Sequence, residues 1–196
     1  MKDLILDIET DNVLQSQNDD ISFQDDTNPE TVRVFYLKNN RKSSSKLPYS
    51  DFIKAIENSK KLCDIRATYF CRSKYRKDEE RKETIILTPE DSENIRIQCS
   101  FAEVELKRTG NILQDAIQLA KAIKEDYWKF KSFVIIDSFD GMEYLSTGLS
   151  LVIRNLTKLV IFTGGIDPIT HPNSDIAFNL TESLNIASSR LLIRSI

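Results

Sequence analysis

The chain has 196 residues, enough to bury a sizeable core, with 40% hydrophobic and 29% charged side chains. Its 27 basic and 30 acidic residues leave a formal charge of −3, which gives no bulk electrostatic reason to expect nucleic acid or an anionic membrane as a partner. No apolar run approaches the ~20 residues that cross a bilayer. The acidic, strand-like opening MKDLILDIETDN is unlike a signal or transit peptide. The expected address is therefore cytoplasmic, with organellar and cytoskeletal assemblies left open.

In chain order, LILDI reads as a buried strand, and the acidic stretch from residue 11 to 30 as a long loop. Thr31 to Leu37, TVRVFYL, alternates and is rich in β-formers, so it predicts a strand. YSDFIKAIENSKKL predicts a helix with Ser50 as its N-cap. IRATYFCR, TIILT and IRIQCSFAEVEL are further strand candidates. The run RSKYRKDEERKE between the first two, with six basic and four acidic residues, reads as a solvated hairpin tip or loop.

All five glycines fall after residue 109, so turns needing positive φ are expected in the C-terminal half. There LQDAIQLAKAIKEDYWKF predicts a helix with Ile117, Leu119, Ala120 and Ile123 near one face. Strand FVIID, helix GMEYLSTGLSLVIRNL, strand KLVIFT, loop GGIDPITHPNS, helix DIAFNLTESLNIASS and strand RLLIRSI follow. Helices of these lengths between continuous apolar strands argue an α/β fold with a parallel sheet covered on both faces. Cys63, Cys71 and Cys99 form no CxxC pair and, with one histidine, make a poor zinc set, so they read as reduced structural thiols.

The stretch FVIIDSFDGMEYL ends an apolar strand in polar residues, the place where open α/β sheets put their chemistry. From Asp115 to Ser188 the order of residues resembles the N-terminal domain of L-asparaginases, most closely the cytosolic type. That family has a strand ending in His-Gly-Thr-Asp-Thr-Met, then Asn-Leu-x-Lys, Thr-Gly, a proline, Ser-Asp and Asn-Leu. This chain has Asp137-Ser138-Phe139-Asp140-Gly141-Met142, Asn155-Leu156-Thr157-Lys158, Thr163-Gly164, Pro168, Ser174-Asp175 and Asn179-Leu180. The resemblance implies a flavodoxin-like parallel sheet sandwiched by helices, with residues 1–196 as one such domain. It marks residues 38–100 as an elaboration and places a second, C-terminal domain of the family beyond anything in this sequence.

The family hydrolyses a side-chain amide. A threonine after its first strand attacks, and a second threonine, a lysine and an aspartate support the proton transfers, because a hydroxyl is a weak nucleophile until a base activates it. With LILDI as that first strand, Glu9-Thr10-Asp11-Asn12 stand where the family has Thr-Gly-Gly-Thr, so Asn12, or Thr10 after a shift, takes the nucleophile position. The substrate-gripping serine falls near Arg108, the triad threonine becomes Phe139, and Asp140 and Lys158 match as an expected remnant pair. The resemblance thus implies a non-catalytic relative that serves as an accessory or structural subunit beside other proteins, with no cofactor and no metal. The alternative is a residual amidohydrolase or small-molecule binder using Lys158, Asp140 and Thr10.

LILDIET also looks like the first motif of DEDD-type 3′–5′ exonucleases. Two-metal chemistry there needs about four carboxylates around ions ~3.5–4 Å apart, which Asp7, Glu9, Asp137 or Asp140, and His171 with Asp175 would supply. The three residues between His171 and Asp175 are one short of that family's usual spacing. Residues two apart share a strand face for geometric reasons alone, so this reading ranks third.

Overall fold

A computed structural model describes residues 6–7, 31–39, 47–58, 85–87, 97–107 and 110–189. Its elements are β1 (Leu6–Asp7), β2 (Val32–Asn39), α1 (Tyr49–Glu57), β3 (Ile85–Leu87) and β4 (Ile97–Leu106). Then come α2 (Ile112–Asp126), a 3-10 turn (Tyr127–Lys129), β5 (Ser132–Ile136), α3 (Met142–Val152), β6 (Ile153–Arg154), β7 (Val160–Thr163) and α4 (Ile176–Ser188).

Five strands form one sheet in the order β3-β4-β2-β5-β7. β2 pairs in parallel with β4 and β5, and β5 with β7, while β3 runs antiparallel along the outer edge of β4. Taking the parallel strands alone, the chain's second lies beside its first, then its third and fourth. This is the flavodoxin-like order, and its switch point lies between β2 and β5. The α/β fold expected from the sequence is present.

β2 is central because both of its faces are apolar. Val32, Val34 and Tyr36 enter the core beneath α1 and α4, and Phe35 and Leu37 the core beneath α2 and α3. α1 lies in the β2–β4 crossover and α2 and α3 in crossovers that run the other way from the switch point, so right-handed connections place α1 opposite α2 and α3.

Arg33 is the exception within β2. Its guanidinium is buried, 2.8 Å from Asp126 at the end of α2, and it donates to the Ser100 hydroxyl at 2.7 Å. It also lies 4.7 Å from the Phe130 ring centre. The polar residue is thereby paired within an otherwise apolar strand.

Local signals explain most boundaries. Asn111 caps α2, its side-chain oxygen accepting from the amides of Leu113 and Gln114 at 3.0 and 3.3 Å. α1 starts after Pro48, with no side-chain cap, so Ser50 lies inside the helix rather than capping it. Pro48 serves because its φ of −53° already suits a helix entry. α3 ends at Val152, four residues before the expected Leu156, because the β-branched Ile153 continues extended into β6.

The described residues of LILDI, Leu6 and Asp7, form β1, outside the five-stranded sheet. It pairs in parallel with β6, Leu6 opposite Ile153 and Asp7 opposite Arg154. The expected strands IRATYFCR and RLLIRSI, and the charged run between residues 72 and 83, lie outside the described residues. Cys63 and Cys71 lie there too, whereas Cys99 is a free, buried thiol on β4 whose ionisation burial pushes up. Among the described residues no helix is long and apolar enough to cross a membrane.

Candidate functional site

The carboxyl ends of β2, β5 and β7 meet at the switch point, and a small pocket opens there. Its floor is Tyr36 from β2 with Ile136, Asp137 and Ser138 from the end of β5. One wall is Leu47 and Phe52 from α1 and its entry, and the other comes from the β7–α4 connection, with Pro168, Ile169 and Ile176. The cavity measures about 30 Å³, room for one or two waters.

The backbone around it is tightly drawn. Asp137 is 2% exposed, its amide donates to the Thr163 carbonyl at 3.0 Å, and its carboxylate accepts from the Ser138 amide at 2.8 Å. A Cβ on Gly164 would collide with the Asp137 carbonyl oxygen, so glycine there is required by the approach of one strand end to the next. Asn179 of α4 donates to the Gly164 carbonyl at 2.9 Å and holds the same turn from the helix side. Ser174 orders the helix entry, accepting from the Ile176 amide at 3.3 Å and donating to the Asp167 carbonyl at 3.1 Å. Gly141 takes φ +101° before α3, one of two glycines among the described residues with positive φ.

The Tyr36 hydroxyl donates to the Leu47 carbonyl at 2.5 Å, and its ring packs on Phe52 and Tyr49 with centres 4.5 and 5.8 Å apart. Burial, with a smaller contribution from Glu103, holds the phenol well above its ordinary range, so the hydroxyl stays protonated and available as a donor.

Of the sequence-predicted site residues, Asp140 and Lys158 are not brought together at the pocket. Asp140 is exposed, in the loop after β5 at the carboxyl edge. Lys158 precedes β7 at the opposite, amino edge, and the paired strands from Phe133–Val160 to Ile136–Thr163 rise about 10 Å between them. The expected Asp140–Lys158 pair is therefore corrected. The Lys158 ammonium donates instead to the Tyr127 carbonyl and, at 2.6 Å, to the Phe130 carbonyl, and it lies 4.8 Å from the Tyr127 ring centre. Burial lowers its proton affinity. Its place explains its role, since it satisfies carbonyls where α2 ends.

Phe139, at the position of the family's triad threonine, is 55% exposed and does not line the pocket. Thr10, Asn12 and Arg108 lie outside the described residues. The strand before Thr10 and Asn12 is β1, whereas the first parallel strand of the sheet is β2.

The nuclease arrangement fares no better. Asp7 sits on β1, which pairs with β6 and is not part of the sheet that holds β5, and Glu9 lies outside the described residues. His171 is an exposed loop residue, 3.6 Å from Asp167, and its Nδ1 accepts from the Asn173 amide at 3.3 Å. Trp128 is 54% exposed with its ring edge-on to Tyr127, at the helix end where the sequence placed it. Sequence reading missed Tyr36 and Leu47 as site residues. The available signal was the carboxyl end of TVRVFYL, once that strand is placed at the switch point.

A family profile described as asparaginase, N-terminal, matches residues 36–194. An L-asparaginase of Thermococcus kodakarensis is 36% identical over 74 residues, covering 38% of this chain and 23% of that protein. A 60 kDa lysophospholipase of Homo sapiens is 31% identical over 113 residues, 57% of this chain and 20% of that one. The solved structure of the thermostable L-asparaginase from Thermococcus kodakarensis superimposes with a TM-score of 0.51 at 21% identity, covering 80% of this chain and 40% of that one. This chain thus spans well under two thirds of the relatives it matches.

Proposed function

We propose, from the premise that this chain belongs to the asparaginase family through its N-terminal domain, that it keeps the family's sheet without its amide hydrolysis and works as an accessory or structural subunit of a larger protein assembly. The observation that carries this reading is the separation of Asp140 and Lys158 to opposite edges of the sheet. A proton relay needs its members within hydrogen-bond reach.

Two further features support it. The matched region begins at residue 36, on β2, so Thr10 and Asn12 lie outside it. The pocket is lined by one carboxylate and two hydroxyls, from Asp137, Ser138 and Tyr36, with no lysine or histidine among the described lining residues. Among the described residues, a nucleophile there has no basic neighbour to activate it.

An accessory role is supported by apolar side chains on the loops beside the pocket, with Phe139 55% and Ile166 67% exposed. Exposed large apolar groups on a shared edge suit a protein partner. Sedimentation of the natively purified protein tests this. An accessory subunit sediments as a particle larger than the chain and disperses when Phe139→Asp and Ile166→Asp are combined. A monomer in the native extract would contradict the reading.

A small-molecule binder is the second reading, favoured by the convergence of Asp137 and Ser138 on one cavity.

A further inference from the structure

α3 differs from α2 in what it shows to solvent. Of its 11 residues only Glu143 is charged, whereas α2 carries Asp115, Lys121, Lys124, Glu125 and Asp126. A helix that covers a sheet normally keeps charge on its outer face. On α3 that face is Tyr144, Thr147 and Leu151, whose spacing of three and four puts them on one side of the helix. Tyr144 is 58% and Leu151 65% exposed. Ile112, 46% exposed, borders them, since a Cβ on the neighbouring Gly148 would lie 3.0 Å from its side chain. Two hydroxyls here are already used within the helix: Thr147 donates to the Glu143 carbonyl at 2.8 Å and Ser150 to the Thr147 carbonyl at 2.7 Å. Covering the face therefore leaves neither unpaired. Glu143, in the first turn, and Arg154, just past the helix, are both exposed, and neither is in an ion pair with another described residue.

We propose that the outer face of α3 is a two-fold interface, on which α3 of a second copy of this chain packs antiparallel. The occupant follows from the order of side chains along the face. Acid stands at one end, base at the other, and uncharged groups lie between them. A two-fold axis crossing α3 at Thr147 sets Tyr144 against the partner's Leu151 and brings Glu143 to the end that carries the partner's Arg154. The same contacts recur on the other side of the axis, so the face is complementary to itself, as an isologous contact requires. The spacing of Tyr144, Thr147 and Leu151 is that of the seam between paired helices. The proposal does not depend on the non-catalytic reading.

Sedimentation equilibrium of the purified full chain over a dilution series should give twice the mass of the chain. Leu151→Asp should weaken association about 100-fold or more, because symmetry removes the contact twice. Glu143→Arg and Arg154→Glu should each weaken it about tenfold, since both end contacts then join like charges. Mixing these two single variants should restore association, because every end contact in the mixed pair again joins opposite charges. That recovery reports the two-fold arrangement itself and does not depend on how Leu151→Asp folds.

A wild-type chain that stays monomeric at every concentration, charge reversals without effect, or a mixture that associates no better than its components would each overturn the self-pairing. So would a different protein held on this face in the native particle and released by Leu151→Asp. Ammonia released from asparagine would instead overturn the non-catalytic reading and leave the dimer standing.

Discussion

Truncating Asp126 to alanine removes a carboxylate partner of the Arg33 guanidinium inside the protein. The two side chains are 3% and 4% exposed and 2.8 Å apart, so water cannot replace the lost carboxylate. Among the described contacts, the Ser100 hydroxyl at 2.7 Å and the Phe130 and Phe35 rings at 4.7 and 5.4 Å stay with it, and none of these neutralises a charge. Removing one member of a buried pair costs about 3–5 kcal/mol, a large part of the ~5–15 kcal/mol that holds a domain folded. With a urea slope of ~2 kcal/mol/M, the unfolding midpoint should fall by about 2 M. The Lys129 contact that Asp126 also makes, at 3.6 Å with Lys129 half exposed, adds little. Replacing both partners, with Arg33→Met and Asp126→Leu, should recover most of the loss, because no charge then remains to be buried. Urea unfolding of the two single variants and the double decides it. If Asp126→Ala shifted the midpoint by less than about 0.5 M, the guanidinium would have to be hydrated and the assignment of this pair to the core would be wrong.

Gly164→Ala should destabilise by about 3 kcal/mol, because its Cβ meets the Asp137 carbonyl, a backbone atom that cannot rotate away; thermal unfolding reads this, and a loss below ~0.5 kcal/mol would refute the close approach. Cys99 is fully buried and burial raises its pKa, so above its ordinary value of 9.0 the unfolded chain loses a proton that the folded chain keeps. Its contribution to stability is therefore intact below about pH 9 and declines by roughly 1.4 kcal/mol per pH unit above it. The gap between wild type and Cys99→Ala should narrow from pH 9 to 10.5 in parallel urea titrations, and a constant gap would contradict the burial.

Much of the fold was legible because its signals are local. The apolar runs at 133–136 and 160–163 and the helical patterns around 112–126 and 176–188 appear close to where they were read. LILDI misled because apolar character alone does not say which sheet a strand joins. The central place belongs to β2, whose two apolar faces suit burial on both sides. The antiparallel pairing of β3 was likewise invisible, since three residues of apolar chain carry no direction. At the site, the loop after β5 was legible from its abrupt change to polar residues. The place of Lys158 was legible too, since a residue at the start of strand KLVIFT lies at the amino edge of a parallel sheet and one after strand FVIID at its carboxyl edge. The family resemblance nonetheless paired it with Asp140. Tyr36 was hidden inside a strand pattern, and its role depends on Leu47, which only the packing of α1 brings close.

The central claim, a family sheet without family chemistry, is tested most directly by ammonia release from L-asparagine and L-glutamine by the purified chain. The account predicts no release above a protein-free control at any substrate concentration. Saturable release that disappears in Asp140→Ala would contradict it.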